Sequence, residues 1–211
     1  MKDIIASIIT SVLTALYQPF WFSVILSVLV LFFYLFSYHN ETGGRGIRGA
    51  FSVWWQFFKD SAFFRKLFFL TFYTTMILFR TLLNRDMWMN PLSDVMGNWW
   101  IWKYGNDGTR NLTTECIENL MLFIPFTILL FWTAGKRILK KTTFRNAVWT
   151  GLKITFVFSL SIEFLQLFLR LGTFQVSDLT YNTIGGGIGG AVFWMGYRLT
   201  EKRKFTLTNQ L

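Results

Sequence analysis

The stretch "IEFLQLFLRLGTFQVSDLTYNTIGGGIGG", residues 162–190, decides how the chain is read. Its first residues continue an apolar run, and its last are glycine-rich and again apolar. Glu163, Gln166, Arg170, Asp178 and Asn182 stand in or beside those runs. On insertion scales a charged side chain at the centre of a bilayer costs about 2.5–3.5 kcal/mol. Such groups therefore either lock helices to one another or serve a ligand.

The rest of the chain agrees with a membrane setting. Of its 211 residues 53% are hydrophobic, 20% aromatic and only 15% charged, where a soluble domain is about a quarter charged. Apolar runs close to 19 residues long recur at Phe20–Tyr38, Leu67–Leu83, Cys116–Thr133 and Ala147–Leu169. A fifth, Tyr181–Leu199, is rich in glycine. The expected fold is all-α, a polytopic membrane helical bundle of about five spans. Residues 3–16 have two-sided helical spacing and no cleavage site, so they are expected as a short interfacial or re-entrant helix rather than a signal peptide. "AFSVWWQFFKDSAFFRK" (50–66) is broken by Gln56, Lys59 and Asp60 and suits a helix lying in the interface. The chain thus divides into an N-terminal part (1–66), a transmembrane domain (67–199) and a basic tail (200–211).

Single Cys116 and single His39 exclude an internal disulfide, a multi-cysteine or His-pair metal site and, in practice, a Ser-His-Asp triad. His39, at the end of an apolar run, reads as an interfacial residue. No cofactor or metal is expected. Glu118, Glu163 and Asp178 are ligand types a hard cation accepts, but their spacing is a weak signal for one.

Charge sets an orientation. Residues 39–66, 134–146 and 198–211 carry 5, 5 and 4 Lys/Arg, against 1, 3 and 1 in residues 1–19, 84–115 and 170–183. The positive-inside rule then places the N-terminus outside and the C-terminus in the cytoplasm. The formal net charge of +10 is read as a topology signal, not as nucleic-acid binding, because the basic clusters flank spans. Trp132 and Trp149 fall at cytoplasmic ends of spans as belt residues, with Lys153 close enough to snorkel.

With that orientation the polar residues share one depth, in the outer half. Glu118 and Asn119 open span three. Glu163, Gln166 and Arg170, spaced three and then four apart, occupy one face of span four. Asp178 and Asn182 open span five, and Arg80 and Asn84 close span two with Arg85 just beyond. The candidate binding residues are Arg80, Arg85, Glu118, Asn119, Glu163, Gln166, Asp178 and Asn182. Arg80 or Arg85 is expected to pair with one of Glu118, Glu163 and Asp178. The loop "NPLSDVMGNWWIWKYGNDG" (90–108), with Trp99, Trp100, Trp102 and Tyr104, is placed to roof a cleft or to anchor in the interface. Gly185/Gly189 and Gly186/Gly190 form small-xxx-small pairs, read as close helix packing rather than a phosphate loop. The same pattern would suit a homo-oligomer through the last span.

Three blocks carry a resemblance. "TLLNR" (81–85) followed by "NPL" (90–92), "ENLMLFIPFTILL" (118–130), and the opening stretch with its Glu-x-x-Gln, Asp178, Asn182 and Gly185 together resemble the VanZ-like family. The likeness runs from about Phe68 to Tyr197. Gln175 replaces a common aspartate, Thr127 replaces a glycine, and loop 84–115 is enlarged. The resemblance implies a role in glycopeptide or lipoglycopeptide (teicoplanin-type) susceptibility. It is compatible with a non-enzymatic protein that binds an envelope lipid or lipid-linked molecule from outside. An alternative is an intramembrane enzyme acting on lipid headgroups, with Glu163 and Asp178 as general acid and base. A transporter would show a repeat, and none is found.

The orientation predicts that, in a Cys116→Ser background, single cysteines at 103–110 react with an impermeant thiol reagent on intact cells, while those at 136–141 are protected. The opposite pattern would invert the map.

Overall fold

The computed structural model describes residues 2–38, 46–84, 87, 89–104 and 109–208. His39 and Arg85 lie outside the described residues, as does the side chain of Tyr104. The regular elements of the described chain are helical apart from one small hairpin, in the order α1 (Lys2–Tyr17), α2 (Phe20–Tyr38), α3 (Ile47–Asp60), α4 (Ala62–Leu78), β1 (Trp102–Tyr104), β2 (Arg110–Leu112), α5 (Glu115–Ile138), α6 (Phe144–Leu169) and α7 (Val176–Thr208). A π-helical turn, Phe79–Leu83, extends α4. Phe20–Tyr38, Ala62–Leu83, Glu115–Ile138 and Phe144–Leu169 are long and apolar enough to cross a membrane.

Two boundaries differ from the sequence reading. Residues 50–66 do not form one interfacial helix, because Ser61 breaks them. Its backbone is extended (φ −97°, ψ 111°), and its hydroxyl caps α4 by accepting the Phe64 N–H at 3.2 Å, a favoured helix start. Residues 62–66 therefore belong to the second span. Trp54 of α3 is buried against Leu31 and Leu35 of α2 and Phe64 of α4, which fastens α3 across the corner. The second difference is α7. It is a 33-residue helix, about 50 Å long at 1.5 Å per residue. It is not among the four apolar spans, because its glycines contribute little hydropathy.

Those glycines explain how α7 packs. It lies between α5 and α6, parallel to the first and antiparallel to the second. A Cβ built on Gly185 or Gly189 would sit 2.3 Å from the Leu120 carbonyl oxygen or 2.6 Å from that of Ile124, both in α5. On Gly186 it would meet the Thr155 hydroxyl at 2.0 Å, and on Gly190 the Ala147 carbonyl oxygen at 2.4 Å, both in α6. Each small-xxx-small pair thus serves a different neighbour within the same chain. The α6 face that receives α7 is a stripe of its own, Ala147, Gly151, Thr155, Ser159 and Glu163, all buried and four residues apart. Threaded between two spans, α7 shares their depth whatever its own hydropathy. An apolar core of Ile77, Leu122, Phe123, Phe126 and Ile162 joins α4, α5 and α6 beside it.

Gly190→Ala is expected to destabilise the purified protein by about 1–3 kcal/mol, the usual cost of overpacking. Gly196→Ala, where a Cβ meets nothing within 4 Å, should be neutral or stabilise by up to about 1 kcal/mol from helix propensity. Thermal unfolding in detergent distinguishes the two.

Candidate functional site

The ends of four elements meet at one pole of the bundle: the π turn after α4, the start of α5, the end of α6 and the start of α7. Each delivers polar side chains for a local reason. The last carbonyls of any helix lack partners from their own helix. Here the Thr81 carbonyl accepts from Gln166 Nε2 at 2.7 Å. The π turn is closed by the Asn84 N–H donating to the Phe79 carbonyl at 2.9 Å. Such widened turns recur at functional sites, and this one carries Arg80.

Arg80 forms an ion pair with Glu118, with side chains 24% and 13% exposed. The Thr114 hydroxyl, one turn earlier, also donates to Glu118. The expected pairing of an arginine with a site carboxylate is therefore present, and it ties α4 to α5. Glu163 is 3% exposed and Gln166 2%. Glu163 Oε2 accepts the backbone N–H of Gln175 at 2.8 Å, so it also ties α6 to the connection that leads into α7. Asn182 is 6% exposed and donates Nδ2 to the Ser159 hydroxyl at 2.8 Å. Asp178 lies half-buried in the first turn of α7 and accepts from the Ser177 hydroxyl at 3.4 Å.

Several expectations from the sequence change or fall away. Arg170 does not share the buried face of Glu163 and Gln166. It caps α6 in the left-handed conformation (φ 55°, ψ 38°), and its side chain is exposed. The helix ends at Leu169, so the four-residue spacing no longer implies a common face. Asn119 is half-buried beside Glu118. Asn84 is exposed and reaches Gln18, after α1, at 3.1 Å. Among the described residues, Glu118, Glu163 and Asp178 are not gathered into a group of three that would hold a metal ion.

The 84–115 loop covers this pole. Met87 pairs with Leu171, the Phe174 N–H donates to the Pro91 carbonyl, and the Val176 N–H donates to the Val95 carbonyl, the latter two at 2.9 Å. Gly97, at φ 66°, turns the chain in a conformation that glycine adopts without steric cost. It passes so close to Ser177 that a Cβ would fall 2.1 Å from that hydroxyl. The Tyr181 hydroxyl donates to the Trp99 carbonyl at 2.6 Å, while Trp100 is exposed. Three buried polar atoms at this end have no hydrogen-bond partner among the described residues: Asn98 Nδ2, Trp99 Nε1 and Asn182 Oδ1. Most buried polar groups are satisfied, so each exception needs a reason.

Sequence reasoning missed Thr114, Ser159 and Ser177 as partners. For Ser159 a signal existed, since it lies one turn before Glu163 in the small-residue stripe of α6. For Ser177 none did, because its role depends on Gly97, eighty residues earlier.

Among known proteins, no curated protein and no solved structure matches the chain. The VanZ/LLP1 family does match, over residues 8–197. That range begins well before the blocks that carry the sequence resemblance and takes in most of α1, all of α2 to α6 and most of α7. Covering far more than half of the chain, the match establishes that this multi-pass membrane protein belongs to the VanZ/LLP1 family.

Proposed function

We propose that the protein reduces susceptibility to glycopeptide or lipoglycopeptide antibiotics by binding an envelope lipid or lipid-linked molecule at this polar pole, which faces outward, without catalysing a reaction. The observation that carries the reading is the surplus of buried polar atoms where the 84–115 loop covers the helix ends. Arg80, Glu118, Gln166 and Glu163 have protein partners and hold the helix ends. Asn98 Nδ2, Trp99 Nε1 and Asn182 Oδ1 offer two donors and one acceptor with none among the described residues. A ligand with hydroxyl, amide or phosphate groups matches that set. The loop is held largely by backbone contacts to 171–176, so it can cover a bound headgroup while exposed Trp100 and Met96 sit in the interface. The Lys/Arg asymmetry supports the outward orientation, and the family resemblance supports the antibiotic connection.

Glu163 separates this reading from an acid–base enzyme. Its Oε2 accepts a backbone N–H, a bond that the side-chain oxygen of glutamine makes equally well. Glu163→Gln should therefore keep most of the activity at normal membrane abundance. Glu163→Leu strands the Gln175 N–H in a buried position, a cost of about 1–3 kcal/mol, and should lower both activity and abundance. The measurement is teicoplanin-type drug susceptibility of cells expressing each variant, scored against immunoblotted membrane protein. Abundant Glu163→Gln protein without activity would contradict the binding reading and favour proton transfer.

A further inference from the structure

At the opposite pole a cavity of about 290 Å³ opens between α2, the α3–α4 corner and the end of α5, lined by Tyr34, Phe57, Ser61, Phe63, Phe64 and Arg137. Four of the six lining residues are aromatic, none is acidic, and the single charge is the Arg137 guanidinium. The surrounding cations are engaged differently. Lys59 sits over the Trp55 ring at 5.4 Å and Lys66 over Trp132 at 5.1 Å. Arg65 donates to the Phe58 and Lys59 carbonyls. Arg137 is exposed and makes no ion pair or hydrogen bond among the described residues.

We infer that this cavity is a binding site for one anionic phospholipid of the leaflet at the basic end of the bundle. Its phosphate would meet Arg137 at the rim, with the Ser61 hydroxyl as a further donor. The first segment of an acyl chain would lie on the Tyr34, Phe57, Phe63 and Phe64 wall. The volume is near the bottom of the roughly 300–1,000 Å³ range of ligand pockets, so it takes the headgroup and chain root while the tails remain in the bilayer. A free phosphate gains nothing from an aromatic wall, and a zwitterionic lipid brings a second cation to a site that already has one. Basic pockets between helices at the cytoplasmic side suit anionic headgroups in this way. The inference concerns the other end of the molecule from the polar site and does not depend on that site's function.

The test uses the full-length protein extracted from nanodiscs containing equal phosphatidylglycerol and phosphatidylcholine, with retained lipid counted by native mass spectrometry. Phosphatidylglycerol is expected to be enriched. Arg137→Ala should reduce its retention about fivefold, the share of one basic side chain in anionic-lipid attraction. Arg137→Lys should retain it, and so should Lys141→Ala, which removes a neighbouring basic residue outside the cavity. Equal retention of the two lipids, or enrichment unchanged in Arg137→Ala, would overturn the inference. An equal loss in Lys141→Ala would also overturn it, because the attraction would then belong to the basic surface in general.

Discussion

Gly186 leaves no room for a side chain against Thr155, and a Cβ on Gly185, Gly189 or Gly190 would fall 2.3, 2.6 or 2.4 Å from a main-chain oxygen of α5 or α6. Three helices are thereby held at backbone contact in one register. In a bilayer the hydrophobic effect does not drive helices together, so association depends on such packing and on hydrogen bonds between helices. The register has consequences one turn away. Asn182 lies four residues before Gly186 and Ser159 four residues after Thr155, so the contact that seats Gly186 on Thr155 also brings Asn182 to Ser159. One further turn along α6 stands Glu163, which holds the α6–α7 connection through Gln175. The polar pole is therefore an extension of the glycine contact. A shift of α7 that brought Ile184 and Ile188 to the places of Gly185 and Gly189 would drive side chains into the α5 backbone and strand Asn182.

A different physical logic governs the far pole. There the chain places aromatic rings beside cations and turns the backbone sharply at Ser61, whose hydroxyl caps the following helix. Interfacial water and headgroups can solvate charged side chains at this depth, so close pairing with carboxylates is not required. At the polar pole the charges lie nearer the bundle interior, and Arg80 and Glu118 are paired. Breaking such a pair leaves a poorly solvated charge behind, which is why one-sided removal is costly.

Much of this was legible from residues alone. Apolar run length located four spans, and the recurrence of glycine four residues apart announced close packing of the last helix. Carboxylates, amides and arginines at the ends of several runs pointed to one shared depth. What escaped the sequence depended on three-dimensional partners or on single caps. The apolar run ends at Leu169 as α6 does, but side-chain spacing alone did not show that Arg170 would turn left-handed and away from Glu163 and Gln166. The corner at Ser61 was hidden because the aromatic residues continue on both sides of it. The π turn at Phe79–Leu83 leaves no mark in composition. The docking of the 84–115 loop on residues 171–177 arises from backbone hydrogen bonds, which side-chain patterns do not encode.

The proposed binding of a specific envelope molecule, rather than bulk lipid, at the polar pole can be tested directly. The most direct measurement places a photo-crosslinking phenylalanine derivative at Trp99, in the loop that covers the polar pole, and in a second protein at Phe33, an exposed residue of α2, in living cells. After irradiation, the mass of each purified adduct identifies what lay beside the probe. The account predicts a defined adduct at position 99, of a mass absent from position 33, where ordinary phospholipids are captured. The same bulk phospholipids at both positions, or no adduct at position 99, would contradict it.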